Sequence, residues 1–317
     1  MKKWFIYSML LTSMAQAETV IVTLEKDNAL ALVDPATGTL SKTLPIGQRP
    51  RGIALSPDFK TLYVATSDDH TIKVINTENF KEIGKLPSGK DPETFALSPN
   101  GERMYVSNED DNQVTVIDLL KKKATHNIKV GVEPEGIAAS GDNQWVASAS
   151  ETTNMLHWID VKTLKIIDNT LVDPRPRALT FTPDSQQLWI TSEMAGTVSI
   201  LDTKTRQLLK SIKLEIPGVT QDKIQPVGVV VDNERRWAYV ATGPANRVAV
   251  INAQTFAVEK YLLVGQRVWN LAFSPDQKRL YTTNGVSNDL SIIELESHTV
   301  SKSIGVGRYP WGVVALP

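Results

Sequence analysis

The stretch PRGIALSP at residues 50–57 recurs 42 residues later as PETFALSP at residues 92–99. The same phase of the sequence returns at Pro134, Pro176, Pro226, Val268 and Pro310, and only the spacing before Pro226 is longer, by eight residues. Seven units at one period indicate a repeat architecture, in which each unit is one supersecondary element and stacking of the units buries the core.

Each unit contains short runs of β-branched and aromatic residues that are bounded by turn residues, as is typical of strands. In the first unit these runs follow residues 50–55 at Leu62–Val64, Val74–Asn76 and Glu82–Leu86. No run shows the 3.6-residue periodicity that a helical solenoid requires. The sequence therefore predicts four antiparallel strands per unit.

The turn residues agree with this assignment. Ser-Pro-Asp or a related triplet stands between the first two strands, where proline can fix the turn without removing a ladder hydrogen bond. Residues that tolerate positive φ recur between the second and third strands, with His70 as the exception: Asn28, Asn112, Asn154, Gly196, Asn246 and Asn288. For His70 we favour a structural role in the turn over a role as a ligand.

Together these features predict an all-β, seven-bladed β-propeller with four antiparallel strands per blade. Extrapolated towards the N-terminus, the pattern places second and third strands at residues 21–22 and 32–34. The chain ends with a first strand near residues 310–317. We therefore expect the last blade to combine a C-terminal innermost strand with three N-terminal strands, in one domain over residues 18–317.

Residues 1–17 have the pattern of an export signal: Lys2 and Lys3, an apolar stretch, and Ala15-Gln16-Ala17 as a cleavage site. A buried first strand is the alternative. Cleavage after Ala17 would give a periplasmic protein. The chain has no cysteine, which excludes disulfides and covalent haem attachment through cysteine. Its formal net charge of −1 gives no general attraction to nucleic acid. We expect a monomer without membrane insertion.

In a four-stranded meander, the loop leading into the first strand and the hairpin between the second and third strands lie on one face. The leading loops of the second and third units carry acidic residues. Those of the sixth, seventh and first units carry arginine and aromatic residues. The candidate ligand- or partner-binding residues are Arg49, Arg51, Asp91, Glu93, Glu133, Glu135, Arg175, Arg177, Arg267, Trp269, Arg308, Tyr309 and Trp311. Arginine and tryptophan suit a planar or anionic group. The alternative is that these residues pair between units and seal the channel.

Other features of this face are weaker candidates. The hairpins are acidic, and Asp110 with Asp111 could hold a hard cation, although solvated turns are favoured because the full calcium-loop pattern is absent. The insertion at residues 214–225 breaks the period and could contact a partner. The four histidines, His70, His126, His157 and His298, occupy different phases, which argues against a histidine metal site. We assign no catalytic residue and no metal ligand.

The tyrosine-valine strands and Ser-Pro-Asp turns resemble the YVTN family of β-propeller repeat proteins. Segments such as residues 107–112, 243–250 and 261–269 are similar to the exported propeller family associated with catabolism that depends on pyrroloquinoline quinone (PQQ). The resemblance covers residues 18–317. It implies a periplasmic accessory protein of a quinoprotein oxidation system, and it supplies no catalytic residues.

Three functions follow as hypotheses. The first is a non-catalytic scaffold whose partner is a periplasmic quinoprotein dehydrogenase, a cytochrome or a transporter component. The second is binding of PQQ, as a candidate cofactor, or of a haem-like anion at the channel mouth. The third is a lactonase-type hydrolase, since seven-bladed propellers host such enzymes but the fold alone confers no activity.

Overall fold

The computed structural model describes residues 18–317, so the predicted signal peptide lies outside the described residues. The described chain consists of 28 strands and two short 3-10 turns, Ser67–Asp69 and Gln221–Lys223. The strands are β1 (Thr19–Leu24), β2 (Ala29–Asp34), β3 (Thr39–Pro45), β4 (Pro50–Leu55), β5 (Thr61–Thr66), β6 (Thr71–Asn76), β7 (Glu82–Pro87), β8 (Pro92–Leu97), β9 (Arg103–Asn108), β10 (Gln113–Asp118), β11 (Lys123–Lys129), β12 (Pro134–Ala139), β13 (Trp145–Ser150), β14 (Met155–Asp160), β15 (Lys165–Leu171), β16 (Pro176–Phe181), β17 (Gln187–Ser192), β18 (Thr197–Asp202), β19 (Leu208–Lys213), β20 (Val229–Val231), β21 (Trp237–Ala241), β22 (Arg247–Asn252), β23 (Val258–Leu263), β24 (Val268–Phe273), β25 (Arg279–Asn284), β26 (Asp289–Glu294), β27 (Thr299–Gly305) and β28 (Pro310–Leu316).

These strands form seven four-stranded antiparallel sheets arranged as the blades of a propeller, which confirms the predicted fold. We number the blades one to seven by their innermost strands β4, β8, β12, β16, β20, β24 and β28. Blade seven has the order β28-β1-β2-β3, so the chain closes the ring by pairing its last strand with its first. This is the seam that the sequence predicts.

The core lies between the blades, because the second and third strands of each blade are buried on both faces. Large side chains in the middle of the second strands fill these interfaces, and Tyr105, Trp189, Tyr239 and Tyr281 are fully buried. The outermost strands show little alternation between buried and exposed residues and are largely exposed, as in β3 and β11. Burial of aromatic side chains between neighbouring sheets therefore holds the ring together.

A repeated hydrogen bond links neighbouring blades on one face of the ring. The hairpin asparagine adopts positive φ, and its Oδ1 accepts the backbone N–H of a residue in the next leading loop, as Asn154 does from Arg175 at 2.9 Å. His70 has φ 53° at the same position, and its Nδ1 accepts the N–H of Asp91 at 3.1 Å. His70 therefore has the structural role that we favoured.

The insertion before Pro226 lies on this face, but its apolar side chains point inward. Leu214, Ile216 and Ile224 are buried in the cluster between blades four and five. Gly196 occupies the position of the hairpin asparagine, and a side chain there would clash with Gln221 of the insertion. The N–H of Gln225, which an asparagine at position 196 would accept, donates instead to the carbonyl of Thr242 at 3.2 Å. Pro217 and most polar residues of the insertion are exposed and available to a partner.

Within residues 18–317 no helix has the length and the apolar character needed to cross a membrane.

Candidate functional site

Two rings of side chains surround the channel on the face that carries the leading loops. The first ring is formed by the second residue of each innermost-strand segment: Arg51, Glu93, Glu135, Arg177, Val227, Trp269 and Trp311. The second is formed by the hairpin residue at one repeat phase: Glu25, Ser67, Glu109, Glu151, Glu193, Gly243 and Gly285. We call these rings and the adjoining leading-loop residues the channel mouth.

Backbone hydrogen bonds fix most of the second ring against the leading loops. The N–H groups of Glu109 and Glu193 donate to the carbonyls of Asp91 and Arg175, and Glu25 donates to Tyr309 in the same way. Each hairpin side chain is therefore held beside the leading loop of its own blade. This geometry brings together charges that are far apart in the sequence.

One ion-pair cluster lies at blades one and two. Arg49 pairs with Asp68 at 2.9 Å, with Glu93 at 3.0 Å and with Asp91. Arg51 pairs with Glu93 and approaches Glu25 at 3.6 Å. Glu93 is fully buried, so two guanidinium groups compensate one desolvated carboxylate.

Glu109 adds a carboxyl group to this cluster without a cation of its own. Ligand-type oxygens of Asp91, Glu93 and Glu109 lie within 4.8 Å of one another. No lysine, arginine or histidine of residues 18–317 forms an ion pair with Glu109. Burial, followed by the charge of Glu93, raises the pKa of Glu109 to about 8. This corner of the mouth therefore carries excess acidic groups, one of which is protonated at neutral pH.

A second ion-pair cluster lies at blades three and four. Arg177 pairs with Glu135 at 2.7 Å, with Glu151 and with Glu193 at 3.7 Å. Arg175 contacts Glu151 and Glu193 at 3.1 and 3.0 Å. Burial raises the pKa of Glu135, although the Arg177 guanidinium opposes that rise.

Blades five to seven supply the apolar part of the mouth. The Arg267 guanidinium lies 4.3 Å from the centre of the Trp269 ring, and that of Arg177 lies 5.9 Å from it. Arg51 lies 5.7 Å from the Trp311 ring. A Cβ at Gly285 would clash with the Trp269 indole, so the glycine provides the space for this ring. Arg267 also reaches across to Glu193 at 3.0 Å.

The channel cavity at the first ring and just beneath it is small. It has a volume of about 170 Å³ and is lined by first-ring residues such as Glu135, Arg177 and Trp269 and by Ile137 and Leu179 further along the innermost strands. Pockets for drug-sized ligands usually measure about 300–1,000 Å³. A group of haem or PQQ size therefore has to cap the mouth, because the cavity beneath it is too small.

The structure places most of the predicted residues at the mouth but distributes their charges differently. Arg49, Arg51, Arg175, Arg177 and Arg267 are all paired with carboxylates, so there is no separate cationic half. Asp91, Glu93 and Glu135 are their partners, whereas Glu133 accepts a hydrogen bond from Thr152. Trp269 and Trp311 lie beneath the arginines. The pairing between blades, which the sequence left as the alternative, is what the structure contains.

Two predicted residues lie towards the outside of this face. Arg308 pairs with Asp27 at 2.6 Å and leaves 67% of its side chain exposed. Tyr309 is 41% exposed, with the ammonium of Lys26 5.9 Å from its ring.

The acidic hairpins were expected to be solvated turns, and for two of them this was wrong. Glu151 and Glu193 are buried and pair with arginines. Sequence reasoning also missed Glu25, although its repeat phase, shared with Glu109, was the signal that could have identified it. Asp111 behaves as a turn residue, because its carboxylate accepts the backbone N–H of Lys90.

Comparison with known proteins places the chain among propellers. Residues 57–177 match the family model described as Cytochrome D1 heme domain, and residues 173–303 match the model Lactonase, 7-bladed beta-propeller. The chain is a seven-bladed β-propeller. Neither match covers half of this propeller, and no curated protein matches it.

Solved structures share the fold of this propeller at low sequence identity. A hydrazine synthase from Kuenenia stuttgartiensis is 17% identical with a TM-score of 0.79, over 92% of this chain and 99% of that chain. A putative 6-phosphogluconolactonase from Bacteroides uniformis is 15% identical with a TM-score of 0.79, over 95% and 100% of the two chains. The dihydro-heme d1 dehydrogenase NirN in complex with DHE is 14% identical with a TM-score of 0.65, over 93% and 74%.

Proposed function

We propose that this propeller is a non-catalytic binding protein that uses the channel mouth to hold a partner of a periplasmic quinoprotein oxidation system. The observation that carries the proposal is the excess of carboxyl groups at the mouth. The two clusters together with Arg267 contain eight carboxyl groups, from Glu25, Asp68, Asp91, Glu93, Glu109, Glu135, Glu151 and Glu193, against five arginines. Carboxyl groups remain in excess when Glu109, with a pKa of about 8, is protonated. A partner that presents a positive charge complements this surface.

Exposed apolar side chains on the same face support a protein as the partner. Met194 is 75% exposed in a hairpin of blade four, and Val286 and Tyr309 are exposed on blades six and seven. A protein that covers the mouth would bury these side chains together with the charged groups, as in the mixed apolar and polar surfaces of protein interfaces. The resemblance of residues 107–112, 243–250 and 261–269 to the PQQ-associated family supports a quinoprotein dehydrogenase, cytochrome or transporter component as that partner.

Affinity capture from periplasmic extract tests the proposal. Immobilised residues 18–317 should retain a quinoprotein, a cytochrome or a transporter component, and added salt should weaken retention because charges contribute. Met194→Ala with Tyr309→Ala should reduce retention, since both side chains are exposed on the mouth face. Phe59→Ala with Leu120→Ala is the matched control, because these two exposed residues lie on turns of the opposite face.

The proposal would be overturned if no quinoprotein, cytochrome or transporter component were retained. It would also be overturned if Met194→Ala with Tyr309→Ala retained as much of the partner as the wild type.

The second candidate function is binding of a planar cofactor, either PQQ or a haem-like anion, at the same mouth. Stacking of Arg267 and Arg177 on Trp269 favours it, and so does the likeness of residues 57–177 to a heme d1 domain. Titration of PQQ should then quench tryptophan fluorescence in the wild type, and Trp269→Phe should remove most of that change. Absence of quenching at high micromolar PQQ would count against it. A lactone-hydrolysis assay on the same preparation tests the hydrolase hypothesis.

A further inference from the structure

A groove on the face opposite the mouth lies between blades five and six. It has a volume of about 930 Å³, within the range of about 300–1,000 Å³ that is usual for small-molecule sites. Its walls are the turn at residues 232–236, the turn at residues 275–278 and the turn at residues 294–298. Trp237, Tyr239 and His298 supply an aromatic side to it.

The three aromatic rings are held together by specific contacts. The rings of Trp237 and His298 meet edge to face at 4.8 Å between centroids. The Tyr239 hydroxyl and His298 Nε2 are 3.0 Å apart. Burial, with a contribution from the nearby Lys260 ammonium, lowers the pKa of His298, so the imidazole is neutral at pH 7.

The repeat contains a second copy of this arrangement in which a cation covers the aromatic rings. Trp145 of blade three has the repeat phase of Trp237, and Arg206 of blade four has the phase of His298. Both Arg206 and His298 adopt positive φ, 62° and 49°. The Arg206 guanidinium lies 5.0 Å from the Trp145 ring and 6.0 Å from the Trp158 ring. In the groove of blades five and six, a neutral and shorter histidine replaces that cation.

The charges of the groove also favour a cation. Its lining contains five carboxylates, Asp232, Glu234, Asp276, Glu294 and Glu296, and two cationic side chains, Arg236 and Lys278. Arg236 pairs with Glu234 at 3.0 Å and with Asp232 at 3.7 Å, and Lys278 pairs with Asp276 at 4.0 Å. Glu294 and Glu296 have no cationic partner among residues 18–317.

We propose that this groove binds a small organic cation, an ammonium or guanidinium group carried on an apolar body. The cation lies against the Trp237 and His298 rings on the open side of the groove, and Glu294 and Glu296 balance its charge. Attraction between a cation and an indole face contributes most where the site is partly desolvated. This inference does not depend on the proposed function, because the groove and the channel mouth lie on opposite faces.

A probe series in the wild-type protein provides the first test. The probes are 2-phenylethylammonium, 2-phenylethanol and phenylacetate, which share one apolar body and differ in charge. Protein labelled with 5-fluorotryptophan reports binding by 19F NMR, and Trp237→Phe and Trp145→Phe assign the two signals. We expect a saturable shift of the Trp237 signal with the ammonium probe, roughly tenfold weaker binding of the alcohol, and no shift with the carboxylate. The Trp145 signal should not move.

Two variants complete the test. His298→Arg rebuilds the arrangement of Arg206 and should abolish binding of the ammonium probe while keeping the wild-type circular dichroism spectrum. Glu294→Gln with Glu296→Gln should weaken that binding severalfold through loss of charge, since both side chains face solvent at the groove. No saturable shift with millimolar ammonium probe, equal shifts with all three probes, or unchanged affinity in the glutamine double variant would overturn the proposal.

Discussion

Replacement of Arg177 by methionine tests whether the mouth is held by buried ion pairs. Arg177 leaves 10% of its side chain exposed and pairs with Glu135, Glu151 and Glu193. Methionine keeps much of the aliphatic volume but removes the charge that compensates these carboxylates. Breaking a buried pair from one side usually costs about 3–5 kcal/mol, because the remaining charge stays desolvated. We expect a loss of this size in the free energy of unfolding.

The matched control is Arg308→Met. Arg308 pairs with Asp27 at the same face, but 67% of its side chain is exposed. Exposed pairs contribute about 0–1 kcal/mol. Thermal unfolding followed by circular dichroism should therefore show a drop of roughly 10 °C for Arg177→Met and little change for Arg308→Met, since 1 kcal/mol shifts the midpoint by about 2–4 °C at this size.

The loss in Arg177→Met should also depend on pH. Without the guanidinium, the pKa of Glu135 rises further above its value in the unfolded chain, so the folded state binds more protons than the unfolded state. Stability of this variant relative to the wild type should then recover as the pH falls from 8 to 5. A penalty no larger than that of Arg308→Met, or one that is equal at both pH values, would refute the reasoning.

Three further predictions concern single contacts. In urea titrations, the free energy of unfolding of Glu109→Gln should rise relative to that of the wild type as the pH rises from 5 to 8. The wild type loses stability over this range because its Glu109, with a folded-state pKa of about 8, ionises more readily when the chain unfolds. The same pH dependence in both proteins would contradict the raised pKa. Gly285→Ala should displace Trp269 and cost about 1–3 kcal/mol, with altered near-UV circular dichroism, whereas Gly305→Ala, where a Cβ meets no neighbour and φ is not positive either, controls for the loss of a glycine from the backbone. His70→Asn should keep the thermal midpoint while His70→Ala costs about 1 kcal/mol, since asparagine restores the acceptor for Asp91 N–H; equal effects of both would contradict the role of His70.

The fold could be predicted because every unit repeats the same strand and turn signals at the same phase. Phase alone also identified the face of the mouth, since it fixes which loops share an end of the strands. It placed Arg51, Glu93 and Trp269 in one ring for the same reason. These positions follow from backbone direction, which the sequence pattern determines.

The electrostatic pattern of the mouth could not be predicted in the same way. Arg267 reaches Glu193, 74 positions away in the sequence and two blades distant, and this contact depends on side-chain rotamers and the width of the channel. Grouping charges by blade therefore gave separate acidic and cationic halves where the structure has mixed pairs. The burial of Glu151 and Glu193 was missed because hairpin position normally indicates solvation.

The seam of blade seven has a consequence for how the protein folds. Pairing of Thr19 with Leu316 joins residues about 300 positions apart, whereas the other strand pairs connect neighbours along the chain. Closing so long a loop has a high entropic cost and slows folding. Blades one to six can assemble locally, but blade seven lacks its innermost strand until β28 is available. Ring closure should therefore be the last and slowest step, and an intermediate with an unpaired edge of β1 should precede it.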